Sequence, residues 1–162
     1  MSLKVALVHD YLNQWGGAER VLSVLCDMFP EAPIYTLFYD AKKLVVRFGD
    51  RKIYTSMLDS DLVRNNHRAF LPLMPLAMKT LKLKETYDVV ISDSAGYAKG
   101  ISVPSRTTHI CYCHTPLRYA WEPEYITSKI GNGKIAEFAL APILRYLRLW
   151  DYAAAQQPLA LI

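Results

Sequence analysis

Val5-Ala6-Leu7-Val8 is an uninterrupted apolar run, too short for a helix and lacking the polar alternation of a half-exposed strand. Such a run fits a parallel strand buried on both faces. Ile34 to Phe38, Asp88 to Ser92, Thr108 to Cys113 and Leu159 to Ile162 read as further strands, and Lys52 to Tyr54 as a short one. Helical patterns lie between them. Val21, Leu22, Leu25, Met28 and Phe29 share one face before Pro30 and Pro33 stop the pattern. Residues 61–83 read as mostly helical, broken or bent at Pro72 and Pro75. Residues 135–155 read as a long amphipathic helix, with Pro142 as the point where it would kink. Strands alternating with helices predict an α/β fold: a Rossmann-like three-layer domain on a mainly parallel sheet, with right-handed crossovers.

The chain has 162 residues, 52% of them hydrophobic, enough for one domain spanning 1–162 with a core that needs no metal or disulfide. That apolar share excludes a disordered chain. No run is long enough for a membrane span. Residues 3–8 read as a strand rather than as a secretory leader, and three cysteines make no disulfide framework, so a reducing cytoplasm is expected. A last strand followed by nothing is expected of a fragment or of a domain cut from a longer protein.

The net charge is +4, and it is unevenly placed. Between Leu62 and Lys84 stand Arg64, Arg68, Lys79, Lys82 and Lys84 with no acid, and Ser94 to Trp121 is also free of acids. Such asymmetry suits an anionic partner. The segment 62–84 has two readings: bases and apolar residues lying on anionic lipid at the inner face of the membrane, or a helix packed on the sheet with solvated lysines. No recognised nucleic-acid motif accompanies it.

Three stretches can carry chemistry. His9 to Arg20 joins the first strand to the first helix and contains Gly16-Gly17. Ligands of open parallel sheets bind outside the carboxyl ends of the strands, and a helix N-terminus attracts anions. The glycines either admit a ligand or make a tight turn. Neither a dinucleotide fingerprint nor a phosphate-loop motif is present. In His109 to Pro116, His109, Cys111 and Cys113 share a strand face. Positions two apart on a strand lie roughly 6.6 Å from each other, whereas tetrahedral zinc needs ligand atoms about 3.5 Å apart. No metal site is therefore expected, and the cysteines read as small core residues. His114 falls where the strand ends, either facing a sugar or phosphate or buried and satisfied. Asp10 is a base or a cap, and Ser92 to Gly96 either lines the same cleft or is a plain loop.

VALVHDYLNQWGGAERVL (5–22), VVISDSAGYAKG (89–100) and HICYCHTPLRYAWEPEY (109–125) together resemble the N-terminal half of family-4 glycosyltransferases, which are retaining enzymes of two-domain GT-B architecture. The resemblance runs over essentially the whole chain. It implies an acceptor-side domain whose partner, the C-terminal domain absent here, binds most of the nucleotide-sugar. Gly16 and Gly17 would approach the donor phosphates, and His114 would contact the transferred sugar as the catalytic residue. Asp10, Ser94 and Arg118 are further candidates to line the cleft. No cofactor is implied beyond the nucleotide-sugar as substrate. Some lipid-acceptor members touch membranes through a basic, apolar helix similar to 62–84. The whole enzyme would move a hexose to a glycan or lipid-linked acceptor in envelope polysaccharide synthesis, while this half alone would transfer little or no sugar. Three rivals stand: a non-catalytic module binding a glycan or lipid carrier, half of a sugar-nucleotide epimerase of the same architecture, and a membrane-peripheral interaction domain.

Overall fold

A computed structural model describes residues 3–122 and 134–162. Its strands are β1 (Val5–His9), β2 (Ile34–Thr36), β3 (Ile53–Thr55), β4 (Val89–Ser94), β5 (Thr108–Cys113) and β6 (Ala160–Leu161). They form one sheet in the order β3-β2-β1-β4-β5-β6, with every pairing parallel. The sheet lies between two helical layers, as in a Rossmann-like three-layer α/β fold.

The apolar runs account for the middle of the sheet. Ala6, Leu7 and Val8 are fully buried because β1 is covered on both faces. Val5, Leu7 and Ile34 pack with Leu22 and Cys26 of α1 (Gly17–Met28) and with Leu44 and Phe48 of α2 (Ala41–Phe48). On the opposite face, Ala6, Val8 and Val90 pack with Met74 and Met78 of α4 (Met74–Thr80) and with Leu144 and Leu147 of α6 (Lys134–Ala155). Each fully buried aliphatic or aromatic side chain of this kind contributes about 1.5–3 kcal/mol.

The segment 61–83 is helical in three pieces. Following α3 (Asp61–Asn66), a 3₁₀ stretch from His67 to Leu73 contains Pro72, and α4 carries Pro75 in its first turn, where a missing N–H costs little. The long helix α6 continues through Pro142. One helix, α2, falls where the sequence reading sees no element. Its central Val45 and Val46 are exposed, and only Leu44 and Phe48, four residues apart, reach the core. Two adjacent β-branched residues mask that spacing. Between β5 and α6, α5 (Arg118–Trp121) is a single turn. Residues 123–125, the end of the third quoted motif, lie outside the described residues.

Candidate functional site

Register brings the chemistry together. The β1–β4 ladder runs from Val5↔Val89 to His9↔Asp93, and the β4–β5 ladder ends at Ser94↔Cys113. One further bond, from the His114 N–H to the Ser94 carbonyl at 2.9 Å, extends that ladder past the end of β5. The carboxyl ends of β1, β4 and β5 therefore open side by side. The connection from β1 leads to β2 on one flank, while β4 lies on the other. This is the switch point at which sheets of this topology keep their ligands. A cavity of about 380 Å³ opens there, lined by His9, Asp10, Gly16, Gly17, His114 and Arg118 among others.

The loop between β1 and α1 is held in place before any ligand arrives. Leu12 is fully buried, its N–H donates to the Phe38 carbonyl at 2.9 Å, and its carbonyl accepts from the Asp40 N–H at 2.7 Å. Tyr11 stacks on Phe38 with ring centroids 5.1 Å apart. Trp15 lies against the Phe48 ring, with the Arg47 guanidinium 4.3 Å from its own ring centre. Beyond these anchors, Gly16 and Gly17 form the cavity wall at the start of α1. The Gly16 N–H donates to Glu19 Oε2 at 2.7 Å. A Cβ on Gly16 would meet that oxygen at 3.0 Å, whereas a Cβ on Gly17 would meet nothing within 4 Å. Neither packing nor a positive φ demands glycine at 17. Open space beside an α1 N-terminus is what a closely approaching ligand requires.

Beneath the cavity lies a line of buried acids and imidazoles. Asp93 is fully buried and uses both carboxylate oxygens on rings, accepting from His9 Nδ1 at 2.9 Å and from His114 Nε2 at 2.6 Å. The second nitrogen of His9 lies 3.7 Å from Glu19 Oε1, an ion-pair distance. Burial opposes charge on His9, but its hydrogen bonds and the Asp93, Glu19 and Asp10 charges outweigh that and raise its pKa to about 10. Burial likewise works to raise the Glu19 carboxyl, and the adjoining His9 outweighs it, so the group titrates below its ordinary value. His9 is therefore an imidazolium held between two carboxylates.

The remaining candidates divide. Arg118 stands exposed on the cavity rim, and no carboxylate among the described residues pairs with it. Asp10 lines the cavity but is a loop anchor rather than a free base. Its Oδ1 accepts from the Tyr97 and Ala98 N–H groups at 2.7 and 2.6 Å, and its Oδ2 accepts from the Ala95 N–H at 2.8 Å. Ser94 is fully buried, donates its hydroxyl to Asp10 Oδ1 at 3.4 Å and does not line the cavity, so the expectation that it faces the cleft is corrected. Arg64 is likewise not a free base of the 62–84 segment, because Asp59 and Asp61 bind it at 2.7 and 2.8 Å. Arg68, Lys79, Lys82 and Lys84 are exposed, as are Leu73 and Leu76.

His109 and Cys111 are buried. His109 Nε2 lies 2.9 Å from the Ser92 hydroxyl, and burial pushes its imidazole down to about 4. Among the described residues no group of three His, Cys, Asp or Glu side chains is placed to hold a metal ion. No helix among them is long and apolar enough to cross a membrane. The sequence reading had His9, Glu19 and Asp93 inside its candidate stretches but gave none of them a role of its own. The available signal was positional: His9 and Asp93 end adjacent strands. In comparisons with protein-family models, curated proteins and solved structures, nothing matches this chain.

Proposed function

We propose that this chain is the acceptor-side half of a retaining glycosyltransferase. It would work with a second, nucleotide-binding domain to move a hexose from a nucleotide-sugar to a glycan or lipid-linked acceptor. One observation supports this above the others. Gly16, Gly17 and His114, which the resemblance assigns to donor phosphates and transferred sugar, line a single cavity although they lie almost a hundred positions apart. The cavity suits that chemistry. The open side of Gly17 at the start of α1 and Arg118, which pairs with no carboxylate among the described residues, favour an anion such as a diphosphate. Tyr11, whose phenol burial keeps neutral, and Tyr119 form an aromatic wall for a sugar ring. Stabilising a departing diphosphate by fixed donors is electrostatic catalysis that needs no proton carrier on the leaving group. In the two-domain protein, His114→Ala is expected to lower turnover by more than about tenfold, the scale of one hydrogen bond strengthened in the transition state. Near-normal turnover would remove His114 from the reaction.

A further inference from the structure

Asp93 cannot be an ordinary buried acid. A carboxylate with no exposure needs compensation, and His9 supplies it: its Nδ1 bonds Asp93 at 2.9 Å, and its Nε2 lies at an ion-pair distance of 3.7 Å from Glu19 Oε1. His9 is shared between Asp93 and Glu19, so what the geometry fixes at His114 is the place of its proton. A carboxylate only accepts, so the hydrogen in the 2.6 Å contact with His114 must sit on Nε2. A ring with that single proton has a bare Nδ1. Among the described residues no group bonds that nitrogen, and the His114 side chain, 20% exposed, lines the cavity.

The geometry points to Asp93, His9 and Glu19 as positioning residues: a buried carboxylate–imidazolium chain that locks His114 in the Nε2–H tautomer and presents Nδ1 to a substrate hydroxyl as an acceptor. This rests on the reading that His114 meets the sugar. In that role the substrate O–H donates to Nδ1, and the ring is kept from rotating by the Asp93 bond on its far side. The same chain reaches the glycine loop, because Glu19 holds both His9 and the Gly16 N–H. Two walls of the cavity thus share one buried support that comes from the ends of two strands, β1 and β4, and the first turn of α1.

Nitrogen-15 NMR of the histidine-labelled chain tests the lock directly. In the wild-type chain at neutral pH, His114 is expected to show a protonated Nε2 and a bare Nδ1. Asp93→Asn, which keeps the shape and removes the charge, is expected to give a mixture of both tautomers. A wild-type ring protonated on Nδ1, or a single unchanged tautomer in Asp93→Asn, overturns the proposal, and the wild-type spectrum decides even where the variant fails to fold. In the two-domain protein, Asp93→Asn should lower turnover by about tenfold or more, as loss of a tautomer-fixing carboxylate does elsewhere. Combining it with His114→Ala should add nothing further, whereas additive losses overturn the positioning role. Unchanged turnover in His114→Ala, with the tautomer as stated, instead defeats the reading of the site and with it the role in substrate binding, while the bonds of Asp93 to His9 and His114 stand.

Discussion

At the scale of single residues, Gly17 separates packing from function most cleanly. Its absent Cβ would touch nothing, and it sits at the first position of a helix, where alanine is at least as favourable. Gly17→Ala is therefore expected to leave stability unchanged or raise it by up to about 1 kcal/mol. Turnover of the two-domain protein should nevertheless fall, because the methyl group projects into the space a ligand needs. A variant that is both stable and fully active would show that the glycine serves only the chain. Gly100 is the opposite case. A Cβ there would lie 2.4 Å from Trp150 Cζ2, so that glycine answers to packing alone. Asp10 makes the same point for acids: the sequence leaves base and cap open, and the loop amides gathered on its carboxylate decide for the anchor.

At the scale of elements, what could be read in the sequence was what local pattern determines. The strand Thr108–Cys113 has the expected bounds because β-branched, aromatic and small apolar residues end abruptly at His114-Thr115-Pro116. Gly16, Gly17 and His114 were legible because strand ends and helix starts are where sheet proteins place ligands. By contrast α2 was not, since its core contacts are only Leu44 and Phe48. The Asp93 bridge was not legible either, because it depends on the register of β1 against β4, which no local pattern encodes. A second long-range device fixes α6. Lys99 Nζ lies 2.7 Å from Asp151 Oδ1, with both side chains buried, and Asp151 Oδ2 accepts from Trp121 Nε1 at 2.8 Å. Removing one partner strands a buried charge, so Asp151→Ala is expected to cost about 3–5 kcal/mol in chemical denaturation. Replacing both, as Lys99→Met with Asp151→Leu, should recover most of that loss. A double variant as unstable as the single one would show that the pair does more than neutralise itself.

At the scale of the whole molecule, two buried histidines shape stability against pH in opposite directions. The folded pKa of His9, about 10, exceeds the unfolded value of 6.5, so its contribution is complete below about pH 6.5 and is lost as pH rises through 10. The folded pKa of His109, about 4, lies below 6.5, so its contribution is present above that value and is lost as pH falls towards 4. Glu19, lowered from its ordinary value, adds to the acid loss. The melting temperature should peak near neutral pH and fall on both sides, and His9→Gln should flatten the alkaline limb. An alkaline limb that persists unchanged in that variant would assign it to other groups. Both histidines belong to one sheet whose carboxyl edge carries the cavity, and the account turns on what that cavity handles. Product analysis tests it most directly: the chain, joined to the nucleotide-binding half that the proposal requires, is incubated with labelled nucleotide-sugars with and without a glycan acceptor. The account predicts label in the acceptor with retained anomeric configuration, and no product in its absence. An epimerised nucleotide-sugar formed without acceptor, or a bound donor that never passes its sugar on, would contradict it.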